Sequence, residues 1–301
     1  MFRMTTPPDP ASKPKVMRLD PTHSVAYIEV GEASPTLLFV HGSLCDYRYW
    51  KPQTDALAQN HRVIAPSLSH YYPRLPSAEG TPFSWIAHVE QITAFIQRLT
   101  DPNATTTAAP PAPAHSPLHL IGHSRGAAIA YQVALRNPGA IQSFTLVDPA
   151  GPREQDGSSE TTEPPATRGL RVHAAELIAQ GDIDEGLRLF VDSTSRPGFW
   201  DRSAEVFKNM ARDNAGTLVM QLNDPLPLYR QAEAQSLKVC TLIVTGERSP
   251  AVYKDNAIAL GRFIPNATES TIAGASHGRT WTHSQAFNRE LVKFTDGTVS
   301  A

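Results

Sequence analysis

The sequence predicts an α/β protein built on a doubly wound, mostly parallel β-sheet. Short, largely apolar runs alternate with helix-length segments along most of the chain. Runs without polar alternation are typical of strands buried on both faces, as in a parallel sheet covered by helices. Strand and helix in alternation favour right-handed crossovers and a doubly wound sheet. The predicted strands are Lys15–Leu19, Ser24–Val30, Thr36–Val40, Arg62–Pro66, Leu118–Gly122, Phe144–Asp148, Thr241–Thr245 and Glu269–Gly274.

Three of the intervening segments carry clear helical patterns. Apolar residues recur every three or four positions from Trp85 to Leu99, and Ser84 is placed to cap that helix. The segment Arg125–Arg136 is rich in alanine and ends before an Asn-Pro-Gly turn. A stripe of Phe287, Leu291 and Phe294 predicts a final helix.

Two stretches interrupt the alternation and set the expected domain boundaries. Residues 100–117 are low-complexity Pro, Ala and Thr, which predicts a loop. Residues 153–236 contain no convincing strand, which predicts a helical lid inserted at the carboxyl edge of the sheet, where such folds bind ligands. With a flexible arm at 1–15, the expected α/β core comprises 16–152 and 237–301.

Composition argues against several classes of partner. The chain has 301 residues, of which 41% are hydrophobic and 19% charged, with a formal net charge of -2 and no basic block. This balance is typical of a globular enzyme acting on a small molecule, without a nucleic-acid or anionic-membrane footprint. No signal-peptide pattern or membrane-length apolar run stands out, so we expect a cytoplasmic protein. No metal-ligand or phosphate-binding motif predicts a cofactor, and the sequence leaves the oligomeric state open.

The strongest chemical signal is Gly122-His123-Ser124-Arg125-Gly126, which lies between a predicted strand and the alanine-rich helix. Glycines on either side permit a tight strand-to-helix turn that lifts the serine hydroxyl above the sheet. The turn also puts the next backbone N–H beside that hydroxyl. The pattern therefore predicts a nucleophile elbow with Ser124 as nucleophile.

From about residue 20 onwards the chain resembles the α/β-hydrolase superfamily. His41-Gly42-Ser43 ends the first long apolar strand, like the loop that completes the oxyanion hole of that family. The resemblance implies that the main-chain amides of Ser43 and Arg125 hold the oxyanion, and that His41 orders the loop. His277 lies between the last strand and the last helix, where the family carries its catalytic histidine. The resemblance implies that His277 is the general base.

The third member of a catalytic triad departs from the family's usual pattern. The common acid follows the Thr241–Thr245 strand, but Ser249 occupies that place and cannot stabilise an imidazolium. Asp148, at the end of the earlier strand, is an alternative acid position used by some members. Glu247 lies on the usual loop, two residues early. Two further alternatives are a Ser–His dyad without an acid and a triad whose acid is another carboxylate.

Together these features predict a serine hydrolase, similar to a carboxylesterase, that cleaves a small to medium, partly apolar ester, lactone or thioester through an acyl-enzyme. One alternative is a non-hydrolytic enzyme on the same fold, such as a cofactor-free dioxygenase, perhydrolase or lyase. Another is a ligand-binding receptor. The side chain of Arg125 has two open interpretations, a contact to a substrate carboxylate or an ion pair within the protein.

Overall fold

The computed structural model describes residues 13–76, 81–100, 117–154 and 165–299. The predicted arm at 1–15 lies outside these residues apart from 13–15, and the predicted low-complexity loop at 100–117 does so apart from its two ends.

The strands form one eight-stranded sheet in the order β1-β2-β4-β3-β5-β6-β7-β8. β1 pairs with β2, and β2 with β4, in antiparallel fashion, and the remaining neighbours are parallel. The prediction of a mostly parallel, doubly wound sheet is therefore confirmed. The strands are β1 Lys15–Arg18, β2 Ser24–Val30, β3 Thr36–Val40, β4 Arg62–Pro66, β5 Leu118–His123, β6 Ser143–Val147, β7 Cys240–Gly246 and β8 Ala267–Ile272.

Helices cover both faces of this sheet. The helix predicted to start after Ser84 is present, and the Ser84 hydroxyl accepts a hydrogen bond of 3.1 Å from the Ala87 amide. The described helices are α1 Lys51–Leu57, α2 Trp85–Thr100, α3 Arg125–Arg136, α4 Pro165–Gln180, α5 Ile183–Thr194, α6 Phe199–Arg202, α7 Glu205–Asp213, α8 Gly216–Gln221, α9 Gln231–Ser236, α10 Ala251–Phe263, α11 Arg279–Thr282 and α12 Ser284–Val299. No helix in the described part of the chain has the length and apolarity needed to cross a bilayer.

The alternation of side chains along β3 shows why its sequence is apolar throughout. Leu38 and Val40 point into one apolar cluster, whereas Leu37 and Phe39 point into a second cluster on the other face. All residues of β3 are buried. The prediction of strands buried on both faces holds for this central part of the sheet.

β8 differs from that prediction. It is an edge strand that pairs only with β7, and Thr268, Glu269 and Thr271 are exposed. The expectation that this last run is buried on both faces was wrong. Its polar residues fit a strand with one open side.

Between β6 and β7 the described chain forms helices, with an isolated backbone bridge between Arg153 and Tyr229. We call α4–α8 the helical lobe. Its apolar residues, among them Leu187 and Trp200, form a third cluster that also takes in Leu44 from the loop after β3. Because that loop lies at the carboxyl ends of the parallel strands, the helical lobe packs over this edge of the sheet.

Candidate active site

The site begins at Ser124, which joins β5 to α3 in a strained backbone conformation. Its φ of 56° and ψ of -121° lie in a region that non-glycine residues rarely adopt. Glycine is required on either side of this turn, because a Cβ on Gly122 would come within 2.3 Å of the Gly126 carbonyl oxygen. A Cβ on Gly126 would lie 2.4 Å from the His41 carbonyl oxygen. Gly122 therefore leaves room for the start of α3, and Gly126 lets the elbow pack against the loop after β3.

His277 and Asp148 meet at the same edge of the sheet. His277 lies in the loop after β8, and Asp148 directly follows β6 with a φ of 44°. The His277 Nδ1 to Asp148 Oδ2 distance is 2.9 Å, and both residues are buried. Since an ionised carboxylate only accepts hydrogen bonds, Nδ1 carries the proton and Nε2 is left as the acceptor.

Glu247, the other candidate acid, lies elsewhere on the loop. Its Oε2 accepts a hydrogen bond of 2.6 Å from the Gly274 amide, and the residue is exposed. It therefore stabilises the turn that leads to His277. Of the two candidate acids, the structure brings Asp148 to the imidazole and leaves Glu247 on the surface.

Two further side chains hold the Asp148 carboxylate. The Ser249 hydroxyl donates a hydrogen bond of 2.8 Å to Oδ2 of Asp148. Arg279 is completely buried, forms an ion pair with Asp148 and donates a hydrogen bond of 2.7 Å to the Ser249 hydroxyl. Ser249, which occupies the place where the sequence analysis expected the family's common acid, thus donates a hydrogen bond to the carboxylate that follows β6. Sequence reasoning missed Arg279, because nothing in the local pattern distinguishes a buried arginine from a surface one.

The charges around the pair favour an ionised Asp148 and a neutral His277. Burial raises the pKa of Asp148, but the Arg279 guanidinium and the hydrogen bond from His277 outweigh it and hold this pKa well below its usual range. Burial lowers the pKa of His277, and the Asp148 carboxylate offsets that effect only in part. Near neutral pH, His277 is therefore ready to accept a proton.

The imidazole of His277 lies between two other rings. Tyr253, on α10, stacks on it with ring centres 4.1 Å apart and an angle of 16°. His123 lies 4.6 Å away, and its Nε2 donates a hydrogen bond of 3.0 Å to the His277 carbonyl oxygen. His123 is itself buried. The packing fixes the plane of the His277 ring. The sequence analysis also did not identify Tyr253.

The loop after β3 lies against Ser124. His41 Nε2 accepts the Leu68 amide at 3.0 Å, and Nδ1 donates to the Gly42 carbonyl oxygen at 2.9 Å. A Cβ on Gly42 would come within 3.0 Å of Ser124 Cβ. The Ser43 hydroxyl donates a hydrogen bond of 2.8 Å to Gln221 of the helical lobe. His41 thus orders the loop, as expected, and Ser43 joins it to the lobe.

The Arg125 side chain makes its contacts inside the protein. Its guanidinium forms a buried ion pair with Asp224, which also accepts a hydrogen bond of 2.8 Å from the Trp85 amide. The guanidinium also lies 5.1 Å from the Phe83 ring. Of its two open interpretations, the structure supports the ion pair within the protein.

Ser124 and His277 open onto a cavity of about 340 Å³ between the sheet and the helical lobe. Among the described residues, no cluster of three or more His, Cys, Asp or Glu side chains could hold a metal ion. The lining includes a free cysteine, Cys45, four large aromatic side chains of the lobe and of α11, and two arginines. It comprises Ser43, Leu44, Cys45, Tyr49, His123, Ser124, Phe190, Val191, Thr194, Ser195, Arg196, Phe199, Arg202, Ser203, Ala204, Phe207, His277, Gly278, Trp281 and Thr282.

The comparison with known proteins agrees with this architecture. Residues 37–290 match the family model described as the alpha/beta hydrolase family. The chain belongs to the α/β hydrolase family. The resemblance inferred from the sequence motifs is therefore confirmed, and hydrolases are among its relatives.

Individual relatives of this α/β hydrolase are distant. The polyketide synthase ThaQ of Burkholderia thailandensis is 26% identical over 278 residues, which are 90% of this chain but 12% of the synthase. A bromoperoxidase structure from Bacillus anthracis has a TM-score of 0.72 at 16% identity, with 94% of this chain and 100% of that chain covered. An esterase structure from Thermogutta terrifontis has a TM-score of 0.67 at 16% identity, with coverage of 95% and 99%. At such identities the structures support the fold alone.

Proposed function

We propose that this α/β hydrolase is a serine hydrolase that cleaves an ester, lactone or thioester through an acyl-enzyme. The observation that carries the proposal is the 2.9 Å hydrogen bond from His277 to Asp148, on a histidine that shares its cavity with the strained Ser124. A serine hydroxyl is a poor nucleophile near neutral pH unless a base stands within reach. A neutral His277, oriented by an ionised Asp148, supplies that base.

The proposed reaction has two halves. The Ser124 oxygen attacks the carbonyl carbon while its proton passes to Nε2 of His277, and the carbonyl oxygen takes up the negative charge. The main-chain amides of Ser43 and Arg125 stabilise that oxyanion. The intermediate collapses, and the leaving group departs with the proton from His277. Water then attacks the acyl-enzyme with His277 as base, which releases the acid and restores Ser124.

The cavity supports a small to medium, partly apolar substrate. Its volume of about 340 Å³ is at the low end of small-molecule sites. Phe190, Phe199 and Phe207 of the helical lobe and Trp281 of α11 line it. In this proposal the helical lobe is the lid that covers the acyl group and excludes water.

Stopped-flow hydrolysis of nitrophenyl esters tests the proposal. We expect release of nitrophenol with a burst of about one equivalent per enzyme when deacylation is slow, and its loss in Ser124→Ala. Ester binding without turnover would instead favour a receptor, and turnover retained in Ser124→Ala would contradict the nucleophilic mechanism. Circular dichroism of Ser124→Ala provides the control for folding.

A further inference from the structure

Among the described residues, the charges that line the cavity are of one sign. Arg196 and Arg202 face it from the loop after α5 and from α6, and none of the described lining residues is an aspartate or glutamate. An otherwise apolar and aromatic cavity therefore carries two permanent cations at the side formed by the helical lobe. Both arginines are exposed, so they lie where the cavity meets solvent.

The nearby carboxylates are occupied by other partners. Asp192 accepts hydrogen bonds of 2.7 and 2.8 Å from two backbone amides at the start of α6. Asp201 lies 3.7 Å from an arginine of α5, and Glu205 lies 2.5 Å from an arginine of α7. Within the described chain, neither Arg196 nor Arg202 is in ion-pair range of a carboxylate.

This arrangement separates the two cavity arginines from Arg188 and Arg212 of the helical lobe. Neither Arg188 nor Arg212 lines the cavity, and each approaches two carboxylates. Arg202 instead donates a hydrogen bond of 3.0 Å to the Pro197 carbonyl oxygen, which leaves further N–H donors of its guanidinium available. A guanidinium with available donors matches the paired oxygens of a carboxylate or phosphate.

We propose that Arg196 and Arg202 form an anion subsite, so that the substrate carries a carboxylate or phosphate at the end distant from the bond attacked by Ser124. The inference rests on the proposed hydrolase function and adds the substrate class to it. Because the subsite is solvent-exposed, each contact contributes modestly. The two together select anionic over neutral substrates by about ten-fold, which corresponds to about 1.4 kcal/mol.

A matched pair of esters tests the subsite. Nitrophenyl hexanoate and mono-nitrophenyl adipate have acyl chains of equal length, and only the second ends in a carboxylate. We expect the wild-type protein to have a kcat/KM about ten-fold higher for the adipate ester. In the double variant Arg196→Gln/Arg202→Gln this ratio falls to about one. Added salt lowers the ratio in the wild type and has little effect in the double variant.

The control is Arg188→Gln, which removes an arginine of the same lobe that is paired outside the cavity. It should keep the wild-type ratio. An equal ratio in the wild type and the double variant would overturn the subsite. So would an equal loss in Arg188→Gln, since the effect would then come from the overall charge of the lobe.

Binding to Ser124→Ala separates the subsite from the proposed chemistry. Calorimetric titration with monomethyl adipate, methyl hexanoate and inorganic phosphate needs no turnover. Binding of monomethyl adipate that depends on Arg196 and Arg202 would support the subsite even if the wild-type protein hydrolysed no ester. Equal binding of monomethyl adipate and methyl hexanoate, with none for phosphate, would overturn it. A preference for phosphate over monomethyl adipate would assign the anion to a phosphate.

Discussion

At the level of single residues, the unusual feature of this α/β hydrolase is the support of its candidate acid. Asp148 comes from the end of β6, while Ser249 stands where the family's common acid would be. Both contribute to one buried group with Arg279 and His277. The serine does not replace the acid. It donates a hydrogen bond to a carboxylate that arrives from the neighbouring strand.

Asp148→Asn and Glu247→Gln decide which carboxylate serves His277. An amide at 148 favours the wrong imidazole tautomer and cannot stabilise the imidazolium, so we expect kcat to fall by about 10⁴-fold. Glu247→Gln removes a hydrogen bond to an exposed turn and should change kcat by less than about three-fold. Steady-state kinetics with nitrophenyl esters and urea unfolding of both variants provide the comparison. The reverse ranking, at equal stability, would assign the acid to Glu247.

Arg279→Gln tests the charge balance around the pair. His277 must be neutral to accept the Ser124 proton, so activity falls as the pH drops through its pKa. Burial lowers that pKa from the ordinary 6.5, and Arg279 lowers it further, which places the acidic limb of kcat/KM below pH 6.5 in the wild type. Removal of the guanidinium should shift this limb to higher pH.

Arg279→Lys keeps a positive charge beside Asp148 and should return the limb towards its wild-type position. A change in packing alone would lower kcat without moving the limb. If the acidic limb of the pH profile did not shift in Arg279→Gln, the role of Arg279 would therefore be structural only. Unfolding curves must accompany both variants, because a buried ion pair that loses one partner is destabilised.

Single residues could be predicted where the chemistry is local. The elbow glycines and the loops at strand ends led to Ser124, His277 and Asp148, and the structure brings these three to one edge of the sheet. Arg279 and Tyr253 could not be found in this way. Their contacts with Asp148 and His277 join segments far apart in sequence, and their own neighbours carry no motif.

At the level of elements, the β5–elbow–α3 unit depends on backbone contacts that admit no side chain. A Cβ on Gly126 would lie 2.4 Å from the carbonyl oxygens of both Val40 and His41. Those atoms are backbone and cannot move aside alone. Gly126 therefore sets the distance between α3 and the loop proposed to hold the oxyanion.

Gly126→Ala should destabilise the protein by at least about 2 kcal/mol, because the added methyl group overpacks this contact. We also expect a loss of kcat, since the elbow and the loop after β3 would be forced apart. Gly297→Ala is the matched control. It lies in α12 with no atom within 4 Å of the added methyl group and should stabilise that helix by up to about 1 kcal/mol. Equal unfolding free energies for the two variants would contradict this account.

The central strands and long helices could be predicted because hydrophobic periodicity alone specifies them. The edge position of β8 could not be, because its burial depends on which strands lie beside it. The short helices of the lobe were predicted only as a group. Their boundaries follow from packing on Leu44 and on one another rather than from strong local patterns.

At the level of the whole molecule, hydrogen bonds of Asn214 and Ser43 join the helical lobe to the core beside the candidate active site. We call this group of contacts the polar seam. Asn214, at the end of α7, is completely buried. Its Nδ2 donates to Asp46 at 2.7 Å, and its Oδ1 accepts the Tyr72 amide at 2.7 Å. Together with the Ser43 contact to Gln221, these bonds hold the lobe over the cavity.

Asn214→Ala should cost about 1–3 kcal/mol of unfolding free energy, because it leaves buried polar groups without their partner. Since the helical lobe held by these bonds lines the cavity, we also expect a higher KM for nitrophenyl esters. Asn209→Ala, on the same helix, removes an exposed hydrogen bond to Arg212 and should stay within about 0.5 kcal/mol of the wild type. Urea unfolding measures both, and indistinguishable variants would show that the seam does not hold the lobe.

The most direct test of the central claim is mass spectrometry after treatment with a fluorophosphonate. This reagent phosphonylates a serine that a neighbouring base has activated, so it reports on Ser124 without knowledge of the substrate. We predict one adduct per chain on the peptide that contains Ser124, much slower labelling in Asp148→Asn and none in Ser124→Ala. An unlabelled Ser124 in the folded wild-type protein, or equal labelling in Ser124→Ala, would contradict the account.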